Sequence, residues 1–222
     1  MRSNVWSGPD WRIECGDCLE LLKTLPSGSV DAVVTDPPYG IGDRMSGGTW
    51  GAAKKYEDFR AWDKAPSTES LERIVSASPL CIMWGGNYFS LPPSRCWLVW
   101  DKRNAVPTMA DVELAWTNMD RPAKRFSGNV GSHDHGHPSQ KPLSLMLWCM
   151  QFVPPGATVL DPFAGSFTTG VACLQTGRKF IGFELERKYC ELGARRLADV
   201  APLFRPPSEP QKGAGLFARE EA

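Results

Sequence analysis

Thr35-Asp36-Pro37-Pro38-Tyr39-Gly40 directly follows the apolar run Val30-Asp31-Ala32-Val33-Val34, so it sits where a buried strand ends. In open α/β sheets, ligands gather outside the carboxyl ends of the strands. The two consecutive prolines, Pro37 and Pro38, fix two φ angles and remove two backbone N–H donors. What remains is a stiff ledge of free carbonyls beside a carboxylate and an aromatic ring, a set suited to holding a planar amino group. The exocyclic amine of a nucleobase is such a group, and a poor nucleophile, because its lone pair is delocalised into the ring. Asp36 can accept one of its N–H bonds, the Pro37 carbonyl the other, and Tyr39 can stack on the ring face. The nitrogen then has a lone pair to aim at an electrophilic methyl group. An ordinary Pro-Pro turn after a strand is the alternative for these residues taken alone.

The second half of the chain carries a strand, a turn and a helix start. Ala157-Thr158-Val159-Leu160-Asp161-Pro162-Phe163-Ala164-Gly165-Ser166-Phe167-Thr168-Thr169-Gly170 reads as a strand, a small-residue turn and then the N-terminus of a helix running through Val171-Ala172-Cys173-Leu174. A helix start after a glycine turn offers free N–H groups to a carboxylate or phosphate. Gly165 and Gly170 have phosphate-loop spacing, but no Lys-[Ser/Thr] follows, and the dinucleotide glycine fingerprint is absent. Lys179 to Glu186 reads as a second strand with an acidic end, placing Glu184 19 positions beyond Gly165. A carboxylate at that place can accept ribose hydroxyls; a solvated Glu at a helix start is the plainer alternative. Tyr189, Leu192, Ala194 and Leu197 then follow a helical spacing. His137-Pro138-Ser139-Gln140-Lys141-Pro142-Leu143 opens an apolar helix through Met150, and Glu14-Cys15-Gly16-Asp17 marks another strand end.

Taken together, these elements resemble the beta group of DNA amino-methyltransferases. Asp36-Pro37-Pro38-Tyr39 resembles the family's [Asp/Asn/Ser]-Pro-Pro-[Tyr/Phe/Trp], and the run Asp161 to Thr169 its S-adenosylmethionine motif Asp-Pro-Phe-x-Gly-Ser-Gly-Thr-Thr. His137 to Pro142 is similar to the family's His-Pro-Thr-Gln-Lys-Pro. The resemblance covers residues 11 to about 198. It implies an α/β, doubly wound, seven-stranded Rossmann-like S-adenosylmethionine-dependent methyltransferase fold with circularly permuted motif order, the amine-holding strand preceding the cofactor strands. It also implies a cofactor site: Asp17 near the adenine, Glu184 on the ribose, and Asp161 on the amino group. Ser139 and Lys141 would lie at the methionine end, and Phe163, Gly165, Ser166, Phe167 and Thr168 in the turn. Phe167 departs from the family, which usually has glycine there. A Cβ restricts the turn and a ring takes up space, so cofactor pose and affinity are where the departure should tell.

The implied reaction is methyl transfer to N6 of an adenine in DNA that has left the duplex stack. Asp36 favours adenine, since relatives acting on cytosine N4 more often carry Ser at that place. Cytosine N4 is the runner-up, followed by a relative that binds cofactor or DNA without turnover. RNA or glutamine amines, methylated by relatives with Asn-Pro-Pro-Tyr, are disfavoured by Asp36, and an oxidoreductase by the missing fingerprint. A restriction-modification setting and a homodimer are compatible with the family.

Composition agrees with one intracellular enzyme. For 222 residues, 42% hydrophobic, a single domain over residues 1–200 is expected, with a small target-recognition insertion at about 101–136 and a disordered Pro/Gly-rich tail at 201–222. The sequence shows no membrane-length apolar run and no signal segment, which points to the cytoplasm. The seven cysteines lie mostly in apolar segments and read as reduced thiols. Cys15 and Cys18 lack a second pair, and His133, His135 and His137 alternate in a polar loop, so no metal site is expected. A formal net charge of zero argues against a strong nonspecific grip on DNA. Arg121, Lys124 and Arg125, and also Arg44, Lys54 and Lys55, nonetheless form local basic clusters. The glycine-rich stretch 40–52 reads as a loop able to close over a flipped base. Ser78 to Gly86, Arg95 to Trp100 and Val112 to Thr117 read as further strands, with Trp84, Trp97, Trp100 and Trp116 as core.

Overall fold

A computed structural model describes residues 4–41, 63–105, 110–130 and 140–200. The chain runs β1 (Val5–Gly8), β2 (Trp11–Cys15), α1 (Cys18–Leu22), β3 (Ala32–Thr35), α2 (Thr68–Ser76), β4 (Leu80–Trp84), β5 (Trp97–Lys102), β6 (Val112–Thr117) and β7 (Lys124–Gly128). It continues α3 (Leu143–Cys149), β8 (Thr158–Asp161), α4 (Thr168–Gln175), β9 (Lys179–Glu184) and α5 (Arg187–Ala198).

Every residue of β3 is buried, as befits a strand covered by helices on both faces. It lies at the centre of one sheet ordered β1-β2-β9-β8-β3-β4-β6-β5-β7. The run β2-β9-β8-β3-β4 is parallel, β6 lies antiparallel between β4 and β5, and β7 pairs parallel with β5. Side chains alternate between two cores. Ala32 and Val34 of β3 join the residues of α3, α4 and α5, whereas Val33 joins Leu71 and Ile74 of α2 and the flank of α1. Trp84, Trp100 and Trp116 are buried, in keeping with their strand patterns.

The doubly wound α/β class agrees with the sequence, but the sheet has nine strands among the described residues rather than seven. The additions are the edge strands. In β1, Val5-Trp6-Ser7-Gly8 alternates exposed and half-buried, and β7 opens on exposed Lys124 and Arg125, so neither shows the apolar run of an inner strand. The stretch at about 101–136 supplies β6 and β7 to the sheet. Ser139, the basic residues Arg44, Lys54 and Lys55, the glycine-rich stretch beyond Ile41, the three histidines and the tail all lie outside the described residues.

From the boundary between β8 and β3 the strand order winds outward both ways, through β9 to β2 and through β4 to β6. This is the topological switch point, where doubly wound sheets bind ligands. Thr35 Oγ1 donates to Asp161 Oδ1 at 2.7 Å across it, tying the two strand ends together.

Candidate active site

The end of β3 delivers Asp36 into a network of charges. Lys141 Nζ donates to Asp36 Oδ2 at 2.6 Å and to the Tyr39 hydroxyl at 3.1 Å, while that hydroxyl donates to Asp36 Oδ1 at 2.7 Å. Because β6 runs antiparallel to β4, its first residues lie level with the carboxyl ends of β3 and β4. Glu113, at the start of β6, thereby comes within 3.1 Å of Lys141 Nζ through Oε2, an ion-pair contact without hydrogen-bond geometry. Its Oε1 pairs with Lys102 at the end of β5. Burial pushes the Asp36 carboxyl up from its ordinary range, Lys141 opposes this, and Glu113 adds to it. Burial works against the Lys141 ammonium, but Asp36 and Glu113 outweigh it and hold the group well above its usual value. Glu113 is likewise penalised by burial and is held below the usual range by Lys141 and Lys102. Burial, then Asp36, keeps the Tyr39 phenol protonated.

Tyr39 stacks on Tyr88 at 5.0 Å between centroids and 22° between planes, with Phe89 edge-on at 6.3 Å. Gly85 has φ 71°, and a Cβ there would run into the Tyr39 ring, so both backbone and packing require glycine. In the proline ledge, Pro37 is buried and Pro38 half-buried. The exit from the ledge is clipped by buried Asp63, which accepts from the N–H groups of Gly40 at 3.0 Å and Ile41 at 2.8 Å. No sequence pattern singles out Asp63, Glu113 or Lys102. A charged residue beside a strand pattern reads as solvent-facing until its partner is known.

The candidate cofactor turn begins at Asp161, whose Oδ1 accepts from Thr35 and from the Phe163 N–H, and whose Oδ2 accepts from the Thr169 hydroxyl at 2.8 Å. It is 3% exposed, and burial pushes its carboxyl up to about 6. Asp161 is therefore an interior brace joining β3, β8 and α4, with both oxygens engaged. Gly165 (φ 46°) and Phe167 (φ 60°) are both left-handed and turn the chain into α4. Glu184, half-buried at the end of β9, accepts from Gly165 N–H through Oε2 at 3.0 Å and from Glu186 N–H through Oε1 at 2.8 Å. Each oxygen keeps a further lone pair for a hydroxyl. Ser166 and Thr168 share a hydroxyl hydrogen bond of 3.0 Å, and half-buried Phe163 packs on the α1–α2 side. Exposed Asp17 caps α1 by accepting from Leu19 and Glu20 N–H groups. It stands one strand from Glu184, since Cys15 pairs with Glu184 and Gly16 N–H donates to the Glu184 carbonyl at 3.0 Å.

Two residues of the expected cofactor set have neighbours that the sequence did not indicate. The Lys141 ammonium, expected at the methionine end, is engaged by Asp36, Tyr39 and Glu113. The Phe167 ring is fully buried, edge-on to Phe180 at 6.3 Å, and a Cβ on Gly193 of α5 would overlap it. Only the backbone of Phe167 remains at the turn. All seven cysteines are free thiols, five of them buried, and no group of His, Cys, Asp or Glu suited to a metal gathers among the described residues.

A doubly wound sheet with a carboxylate-bearing proline ledge and a glycine turn at its switch point defines an α/β protein with a candidate ligand site at its strand ends. The family model for DNA methylases matches residues 83–195. YubD of Escherichia coli (strain K12), which is named as a methylase, is 31% identical over 211 residues, spanning 83% of this chain and 89% of that protein. The chain belongs to the DNA methylase family whose members modify N6 or N4 amines. Two solved structures share the fold. The cytosine-N4-specific PvuII DNA methyltransferase has a TM-score of 0.59 at 17% identity over 87% of this chain and 92% of that one. The M1.HpyAVI–SAM complex has a TM-score of 0.57 at 24% identity over 84% of this chain and 98% of that one. No helix among the described residues is long and apolar enough to cross a membrane.

Proposed function

We propose that this methyltransferase moves a methyl group from S-adenosylmethionine to the exocyclic N6 amine of adenine in DNA. The observation that carries the reading is the Asp36 carboxylate, set on a proline ledge at the switch point and held by Tyr39 and Lys141. A carboxylate and a carbonyl accept both hydrogens of a planar amine. Asp36 in place of Ser is the ground for preferring adenine to cytosine.

The chain's residues fit the cofactor. Glu184, with lone pairs to spare on a strand end one strand from Asp17, suits the hydroxyls of an adenosyl ribose. The left-handed turn at Gly165 to Phe167 leads into the start of α4, which suits a carboxylate. S-adenosylmethionine, when bound, supplies the methyl group and a neutral thioether leaving group. Asp36 and the Pro37 carbonyl would draw the amine nitrogen toward tetrahedral geometry. Asp36 need not be a strong base, because the amine becomes acidic as its new N–C bond forms. Rate comes chiefly from in-line placement. The base must leave the stack, since a paired amine cannot reach a site in the sheet.

The test is to incubate the purified chain with methyl-labelled S-adenosylmethionine and unmethylated genomic DNA, then identify labelled nucleosides by mass. N6-methyladenine is the expected product. N4-methylcytosine would keep the mechanism and move the target, and no labelled base despite measured cofactor binding would overturn the reading. Asp36→Ala should bind cofactor normally and slow transfer about a hundredfold or more, the scale of removing one hydrogen bond that stabilises a transition state.

A further inference from the structure

Glu113 joins the Asp36 network from outside every sequence motif. Its carboxylate stands between two ammonium groups, Lys102 on Oε1 and Lys141 on Oε2, and those lysine side chains are 5% and 11% exposed. Lys141 reaches on to Asp36 Oδ2 at 2.6 Å. Lys102, Glu113, Lys141 and Asp36 thus form a line of alternating charge that ends on the carboxylate meant for the substrate. Lys102 is itself fixed, its ammonium 5.1 Å from the Trp100 ring centroid and its backbone N–H donating to the Asp111 carbonyl.

The arrangement answers a physical difficulty. An ammonium in contact with a sheltered carboxylate is a strong partner, stronger than a neutral amine N–H. With Tyr39 on Oδ1 and Lys141 on Oδ2, Asp36 has both oxygens engaged before any base arrives. A lysine belonging to Asp36 alone would compete with the substrate for the only carboxylate on the ledge. A second carboxylate on the other side of the ammonium divides that attraction.

We propose that Glu113 is a positioning residue for methyl transfer: it shares the Lys141 ammonium with Asp36, so that an Asp36 oxygen can turn to the incoming amine, and Lys102 anchors Glu113 in that role. The proposal rests on the amine-transfer reading given above. The groups facing Asp36 are Tyr39 from its own segment, Lys141 from the segment before α3, Glu113 from β6 and Asp161 from β8. Lys102 stands behind them on β5.

Two variants should move Asp36 in opposite directions. Glu113→Gln removes a neighbouring negative charge and leaves Lys141 wholly to Asp36, so the Asp36 carboxyl should titrate at lower pH. Lys141→Met removes the cation, so it should titrate at higher pH. A residue that merely packs would produce neither displacement. The experiment is a carbon-13 titration of carboxyl-labelled aspartates in the full chain, with Asp36 assigned by the resonance that disappears in Asp36→Asn. Single-turnover methyl transfer to DNA is measured alongside.

In Glu113→Gln the Asp36 midpoint should fall by about half a pH unit or more, and in Lys141→Met it should rise by about one pH unit or more. Transfer by Glu113→Gln should slow by roughly ten- to a hundredfold with cofactor affinity within about twofold of wild type. Midpoints that stay put, or move the same way, overturn the proposal. Should Glu113→Gln leave Lys102 unpaired and unfold the chain, the double variant Lys102→Met/Glu113→Gln removes both charges and reads the same titration. Loss of folding in both would make Glu113 a structural residue and also overturn it. The titration needs neither cofactor nor DNA, so the two failures read differently: a wild type that methylates nothing sinks the functional reading and the transfer role with it, whereas unmoved midpoints in a wild type that methylates overturn this proposal alone.

Discussion

Asp161 carries a property that its place in a motif does not announce. Burial holds its carboxyl at about 6, above the ordinary range near 4, despite bonds from Thr35, Thr169 and the Phe163 N–H. A folded value above the unfolded one means that the fold tolerates the neutral acid better than the anion. That contribution is complete below about pH 4 and is lost as pH rises through about 6. Asp161→Asn, neutral throughout and nearly isosteric, should therefore gain on wild type by roughly 3 kcal/mol between pH 4 and pH 7.5. Urea unfolding at the two pH values measures it, and a difference that stays flat with pH would mean the carboxylate is ionised without penalty. At this scale the sequence was informative where chemistry and a strand end coincide, as at Asp36, Tyr39 and Glu184. It was silent on Glu113 and Asp63, because a lone acid gains meaning only from partners such as Lys141 and the Gly40 N–H, which the fold brings to it.

At the scale of elements, α5 and the cofactor turn are fitted to each other. Phe167 stands in a left-handed conformation that would suit glycine, yet its ring fills the space left by Gly193 and lies close to Gly182. Arg196, three residues further along α5, donates to the Ser166 carbonyl and to Thr168 Oγ1. The helix thus grips the turn by the Phe167 ring seated against Gly193 and by two hydrogen bonds from Arg196. Gly193→Ala should destabilise by about 1–3 kcal/mol through overpacking. Phe167→Gly should destabilise by about 2–4 kcal/mol, the missing ring outweighing the relaxed backbone. In the double variant the new methyl group enters the vacated space, so the two effects should fall short of their sum by about 1 kcal/mol or more. Strict additivity in thermal or urea unfolding would show that the two positions do not press on each other. The central strands β3 and β4 were legible because both of their faces are apolar. β1 and β7 were not, since an edge strand needs no such pattern, and α1, with no fully buried residue, has too short an apolar face to mark it.

At the scale of the molecule, a formal net charge of zero leaves DNA attraction to local clusters. Lys124 and Arg125 are exposed on β7 at one end of the sheet, and Arg121 lies over the Phe152 ring just before it. If this edge meets phosphates, replacing Lys124 and Arg125 by Ala should weaken binding to all DNA sequences alike. The slope of log affinity against log salt should then flatten by about 1 for each phosphate no longer neutralised, with cofactor binding unchanged. An unaltered slope would place the DNA elsewhere.

The bond between Thr35 and Asp161 joins residues 126 positions apart. On a ribosome adding roughly 5–20 residues per second, the proline ledge is therefore made some 6–25 seconds before β8 and the glycine turn that follows it. During that interval β3, apolar on both faces, has at most β4 as its sheet partner and one open edge. The permuted order thus keeps the two sides of the switch point apart until β8 has been made, and it leaves the newborn chain with an unpaired apolar edge that a chaperone can shield.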